Sequence, residues 1–128
     1  MSAPTEEDAE KLKRLGKYLK GFPRVVQHFS WQTEDADLKV HTDADWAGCK
    51  RTRKSTSGGV ITRGCHAIKF WAKTQQSIAL SSGEAEFVAM VKGSCEALGV
   101  AALLRDLGIC AGSIGVLTDA SAAIGMAQ

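Results

Sequence analysis

The stretch Leu38 to Gly48, LKVHTDADWAG, constrains this chain more than any other. Leu38, Val40 and Thr42 alternate with Lys39, His41 and Asp43, the period-2 pattern of a half-buried strand. The strand then runs into acid, Asp43-Ala44-Asp45. A carboxylate at the end of a buried strand is costly to desolvate unless something positive meets it. Two later acids stand at comparable places. Glu86, in SSGEAEFVAM, falls in the first turn of an expected helix, and Asp119, in GVLTDASAA, follows a short apolar run. The expectation is that Asp43, Glu86 and Asp119 converge on divalent metal while the rest of the chain holds them there.

The 128 residues suit one domain, and 45% apolar with 23% charged residues is ordinary for a globular protein. A net charge of +2 excludes nucleic-acid binding by overall charge, so any such affinity must come from a local patch. No uninterrupted apolar run approaches the roughly 20 residues of a membrane span. Met1-Ser2-Ala3-Pro4 leads into charge rather than a signal-peptide core, so an intracellular protein without a membrane partner is expected. Cys49, Cys65, Cys95 and Cys110 form no CxxC pair and read as reduced thiols.

Along the chain, Thr5 caps a helix with Glu6, Glu7 and Asp8 in its first turn, and Gly21 and Pro23 end it. Its Leu12, Leu15, Leu19 and Phe22 recur at helical spacing. A strand is expected over Val25 to Trp31, then a turn through Thr33-Glu34-Asp35-Ala36-Asp37 into the key strand. Val60-Ile61-Thr62 and His66 to Lys73 read as two more strands, the latter with Ile68, Phe70 and Ala72 opposite Lys69, Trp71 and Lys73. Ser81-Ser82-Gly83-Glu84 fits a capping box opening a long helix to about Leu107, with Gly108 just beyond. Phe87, Val91, Leu98 and Ala102 mark its stripe, and Gly93 permits close approach. Ile114 to Thr118 then delivers Asp119, and Ser121 to Ala127 starts a last helix.

These elements make an α/β fold, with an antiparallel three-strand meander, a fourth strand parallel to the first, and packed helices. Asp43 and Asp119 then lie at the carboxyl ends of adjacent parallel strands, where open α/β sheets place ligands. Three carboxylates at one edge cannot all ionise cheaply without a cation. Hard, oxygen-seeking Mg²⁺ or Mn²⁺, as two ions, resolves the repulsion. His28, His41 and His66 are scattered, and no Ser/His/Asp set competes.

The series TDADWAG, RKSTSGG, SIALSSGEAEFVAM and LTDASAA, in that order, resembles the ribonuclease H domain of copia-type LTR-retrotransposon Pol polyproteins. The stretch through LGKYLKGF is similar to the connection segment following the reverse transcriptase there. The resemblance implies residues 1–32 as a connection-like helix and strand and 33–128 as an RNase H-like domain. It also implies metal-dependent endonucleolytic cleavage of RNA in RNA–DNA hybrids, with Asp43, Glu86 and Asp119 as catalytic and metal-binding acids. The upstream reverse transcriptase of the same polyprotein is the implied partner, in a cytoplasmic virus-like particle or the nucleus. Asp45 and Glu84 are the competing acids, with a turn role and a capping role as their alternatives. Gly83, Phe87 and Ala120 depart from the family's usual Thr, Tyr and polar residue. Relative to the family, a fifth strand, a last helix and a fourth ligand are missing after Gln128. The domain therefore reads as truncated, and an inactive nucleic-acid-binding remnant is the alternative reading. The integrase core is disfavoured because the middle acid here is the Glu.

Lys50, Arg51, Arg53 and Lys54 stand just past the first acid as candidate phosphate contacts. Ser55, Thr56 and Ser57 are candidates for reading a 2′-OH. Lys69 and Lys73 could extend the basic track. A charged turn kept for solubility is the competing reading of each.

Overall fold

Strand β1 (Leu38–Asp45) is the spine of the molecule. The computed structural model describes residues 4–33 and 36–128. On one side β1 pairs antiparallel with β2 (Thr56–Arg63), which pairs antiparallel with β3 (His66–Thr74). On its other side it pairs parallel with β4 (Ile114–Leu117), giving the sheet order β3-β2-β1-β4. Helix α1 (Glu6–Gly21) precedes the sheet, α2 (Ser82–Asp106) joins β3 to β4, and α3 (Ser121–Ala127) follows. The result is an α/β fold with a mixed four-stranded sheet, compatible with the RNase H-like arrangement.

The alternation read in β1 holds: Leu38, Val40 and Thr42 are buried, and Lys39, His41 and Asp43 are exposed. Helix α2 covers the buried face. The large residues assigned to its contact stripe do not make the contact; Val91, Leu98 and Ala102 are exposed. The buried ridge is Ala85, Ala89, Gly93, Ala97 and Ala101, one small residue every four. Such a ridge lets the helix axis lie close to the strands. A Cβ at Gly93 would fall 2.4 Å from Thr42 Cγ2 and 3.1 Å from Val40 Cγ1, so the approach requires glycine. Leu38, Val40 and Ile61 fill the core against Ala97 and Ala101, with Trp71 packed beside them.

The same geometry sets the faces of β3. Lys69 pairs in register with Ile61, and Trp71 with Gly59, so those two lie on the α2 side. Phe70 is on the opposite face, 76% exposed. Gly59 is what admits the indole, since a Cβ there would meet Trp71 Cζ2 at 2.2 Å. Alternation alone gave no sign of which face the helix covers.

Both helix starts follow the sequence. Thr5 and Asp8 form a reciprocal capping box at α1. At α2 the Ser81 hydroxyl accepts from Glu84 N–H, but Glu84 reaches back to Leu80 N–H (2.7 Å), one residue earlier than the box expected. Helix α2 ends in a Schellman motif: Ile109 N–H reaches Leu104 O, Gly108 N–H reaches Arg105 O, and Gly108 takes φ +72°. By length and composition α2 is also apolar enough to cross a membrane, although Lys92 and Glu96 interrupt its apolar run. Its small-residue ridge instead lies on the sheet, as in the core helix of a globular domain.

The expected strand over 25–31 does not form; residues 22–33 have no regular structure. Val25 and Trp31 are almost fully exposed, and no strand edge among the described residues takes their backbone. The segment is attached by polar hooks to the β2–β3 turn and the start of β3. Gln27 Nε2 donates to Ala67 O, and Gln32 Oε1 accepts from Cys65 N–H. His66 lies between Gln32 Nε2 and Ser30 O, and is in edge contact with Phe29. In the expected 33–37 turn, Glu34 and Asp35 lie outside the described residues. Asp37 Oδ1 accepts from Ser113 N–H (2.8 Å), tying the entry of β1 to that of β4.

Candidate metal centre

Three elements bring the acids together. Asp43 lies two residues before the end of β1, on the face away from α2, and Asp119 lies two residues beyond β4. Because β1 and β4 run parallel, both acids emerge at the same end of the sheet. Glu86 comes from the first turns of α2, whose close seating carries its carboxylate to the β1 backbone. One oxygen from each of Asp43, Glu86 and Asp119 lies within 4.8 Å of the others.

Their environments differ. Asp43 and Asp119 are exposed, while Glu86 is partly buried. The costly desolvation expected for the strand acid therefore falls on the helix acid instead. Glu86 Oε1 accepts from Ala44 N–H at 3.1 Å, whereas Oε2 is buried without a hydrogen-bond partner. Burial pushes the Glu86 carboxyl above its usual range, the Ala44 bond opposes this, and the charges of Asp43 and Asp119 add to the rise. A carboxylate with an orphaned buried oxygen, clustered with two more acids, matches a hard cation's all-oxygen donor set. These residues fit divalent metal.

The competing acids have other work. Asp45 folds over Gly48, where a Cβ would fall 1.7 Å from Asp45 Oδ2. Glu84 is committed to the start of α2. Neither belongs to the cluster.

The basic segment forms the β1–β2 loop, with Lys50, Arg51 and Arg53 exposed and Lys54 half-buried. Two non-glycine residues here, Ala47 and Arg53, take positive φ (54° and 57°). The structure corrects two hydroxyl assignments. Ser55 is fully buried and its Oγ accepts from Ala47 N–H. Ser57 is buried and its Oγ accepts from Gln75 Nε2. Both hold the loop and sheet together and face no solvent; Thr56 is half-buried.

Sequence reasoning missed the residues that orient the site. Ala44 N–H holds Glu86, and Trp46 Nε1 donates to Ala79 O, fastening the strand end to the approach to α2. Gln75 does the same deeper in, donating to Ala85 O beside Glu86. A backbone donor leaves no mark in a sequence, and Gln75 sits in an unremarkable polar run.

An α/β domain with an acidic trio, two acids from the carboxyl ends of parallel strands and one from the helix between them, defines a candidate metal-dependent domain. No family model matches the chain. It is 38% identical over 111 residues to the retrovirus-related Pol polyprotein from transposon RE1 of Arabidopsis thaliana, covering 85% of this chain and 7% of that protein. The corresponding polyprotein from transposon TNT 1-94 of Nicotiana tabacum is 33% identical over 125 residues, covering 98% of this chain and 9% of the relative. Secreted RxLR effector protein 161 of Plasmopara viticola is 33% identical over 97 residues, 76% of this chain and 68% of that protein. The chain belongs to one family with these sequences and is a homologue of a segment of retrovirus-related Pol polyproteins from copia-type transposons. It spans less than a tenth of the length of the two polyproteins.

Proposed function

We propose that this chain is a ribonuclease H-type nuclease domain of a retrotransposon Pol polyprotein, hydrolysing the RNA strand of RNA–DNA hybrids. The observation that carries the reading is the convergence of Asp43, Glu86 and Asp119, with Glu86 Oε2 buried and unpartnered. Homology to Pol polyproteins supports the retrotransposon setting; a reverse transcriptase upstream on the same polyprotein and an intracellular site of action are part of the proposal.

The three carboxylates would hold Mg²⁺ or Mn²⁺, as a pair of ions. Such ions, when bound, supply an activated water and charge neutralisation at the leaving oxygen. The chain's own part is positioning. Ala44 N–H fixes one Glu86 oxygen, and the other is left without a protein partner. Asp43 pairs in register with Gly58, which has no side chain to obstruct the approach to the open face. Lys50, Arg51 and Arg53 on the neighbouring loop supply positive charge for the phosphate backbone of the hybrid. The deciding assay incubates labelled hybrid with protein and Mg²⁺ or Mn²⁺. RNA-strand cleavage that is lost in Asp43→Asn and in chelator is expected. Hybrid binding without cleavage under any metal would leave a binding module instead.

A further inference from the structure

Helix α2 turns a second apolar stripe to solvent. Phe87, Val91, Cys95, Leu98 and Ala102 recur at steps of three and four residues, the spacing of a helix–helix seam, with Glu84 and Arg105 at the two ends. Val91 and Leu98 are 49% and 62% exposed, Cys95 and Ala102 are exposed, and Phe87 is half-buried. Among the described residues α2 packs on β1, β2, β4 and α3, which leave this stripe open. A helix apolar on both faces is ordinarily covered on both, so α2 presents one face more than its own chain covers.

The stripe reads alike from either end. Its centre is the Ser94–Cys95 peptide bond, and Val91 and Leu98 stand equally far from it, as do Phe87 and Ala102, and Glu84 and Arg105. Two copies laid antiparallel about that point set Phe87 against Ala102, large against small, and Val91 against Leu98. Each Glu84 then meets the other copy's Arg105, whereas parallel copies would set acid on acid and base on base. Arg105 is exposed, and Glu84, whose Oε2 accepts from Leu80 N–H, has a second oxygen to offer. Ser94 brings no unmet polar group to the centre, because its hydroxyl donates to Met90 O (3.0 Å). Helix α1 is the other candidate to cover the stripe, and its tether argues against it. Gln27 is held at Ala67, and the neighbouring Ile68 lines a recess with Gly99, Val100, Leu103 and Leu104. The end of α1 therefore joins the domain beside the C-terminal half of α2. Laid along α2 from there, α1 would run parallel to it, bringing Glu6, Glu7 and Asp8 toward Glu84 and Lys20 toward Arg105.

We propose that the outer stripe of α2 is a homodimer interface, on which a second copy of this chain lies antiparallel about a twofold axis at Ser94 and Cys95. Phe87, Val91, Leu98 and Ala102 supply its apolar part, and Glu84 and Arg105 its charged rims. Such a seam is small beside standard protein interfaces, so the dimer is reversible and forms by mass action. The inference does not depend on the nuclease reading, because no residue of the acidic trio enters the seam.

The test is sedimentation velocity on the full chain in reducing buffer, over about a hundredfold range of concentration, where a shift from monomer to dimer is expected. Leu98→Asp should weaken self-association at least about tenfold with an unchanged far-UV circular dichroism spectrum. Phe70→Asp on the opposite face of the sheet and Leu15→Asp on α1 remove comparably exposed apolar groups and should change nothing. Arg105→Glu and Glu84→Arg should each self-associate about fivefold more weakly. An equimolar mixture of those two variants should recover, since only the mixed pair sets acid on base at both rims. If Glu84→Arg frays the start of α2, a short bis-maleimide on the unsubstituted chain reads the same register by peptide mass spectrometry. It should join Cys95 to Cys95, and not Cys65 or Cys110, which are equally exposed thiols. A chain that stays monomeric throughout would overturn the proposal. Association lost in Leu15→Asp or Phe70→Asp but kept in Leu98→Asp would do the same, as would folded charge variants that fail to recover on mixing.

Discussion

Helices α1 and α2 share well-formed caps and differ in almost everything else. Helix α1 has the clearer amphipathic pattern, yet it buries no residue and packs on no other described helix or strand. Its Leu12, Leu15, Tyr18 and Leu19 are all more than half exposed. Helix α2 has no comparable stripe of large residues, and it organises both the core and the acidic site. A stripe of leucines shows which face of a helix would bury if something covered it. A ridge of alanine and glycine shows how close a partner can come, and here closeness matters more. Glu86 reaches Ala44 N–H because α2 brings nothing larger than a methyl group to the ridge it lays on β1.

The largest effect that would break this contrast concerns Glu86. Glu86→Gln should reduce metal-dependent cleavage by at least about 10²-fold with the fold intact, read by RNA-strand cleavage alongside far-UV circular dichroism. Activity close to that of the unsubstituted chain would detach α2 from the chemistry.

Next comes the ridge. Gly93→Ala should cost about 1–3 kcal/mol in denaturant unfolding, because Thr42 is stiff at χ1 and cannot easily yield to the added methyl. Gly16→Ala on α1, where a new Cβ meets nothing within 4 Å, should be neutral or slightly stabilising. Equal effects at both positions would mean α2 does not lie as close as described.

A third, smaller effect separates two glutamates of α2 by pH. Lys69 and Lys92 hold Glu96 down at about 2, so its stabilising share is complete above about 4.5 and is lost as pH falls toward 2. Glu86 is shifted the other way. Its contribution to the metal-free protein is present below the ordinary carboxylate range and is lost as pH rises through its raised value. Thermal melts in chelator should show Glu96→Gln removing stability mainly at neutral pH, and Glu86→Gln removing a decline above pH about 4.5. A Glu86→Gln profile parallel to the unsubstituted one would show that burial does not strain that carboxylate.

The smallest effect is at the caps and on α1's face. Ser81→Ala should cost about 1 kcal/mol of global stability, since α2 cannot fray without opening the core. Thr5→Ala should lower α1 helicity without moving the main unfolding transition, and Leu15→Ser should stay within about 0.5 kcal/mol. Global destabilisation from either α1 substitution would reveal packing that α1 does not show.

Local chemistry determined much of this protein from sequence alone. The Thr5 and Ser81 caps, the Gly108 terminus, the alternation of β1 and the order of elements follow from hydrogen bonding and side-chain periodicity within a few residues. The three acids were legible as candidates because each stands next to an element boundary. Tertiary structure decided what those local rules leave open. Which face of β3 packs inward depends on where α2 lies, and alternation is symmetric between the two faces. The 25–31 segment had strand composition but no edge to join, since a strand exists only through a neighbour's backbone. The burial of Ser55 and Ser57, the free oxygen of Glu86 and the role of Gln75 all depend on partners 8 to 42 residues away. Contacts at that range are made by packing, and a linear pattern carries no record of them.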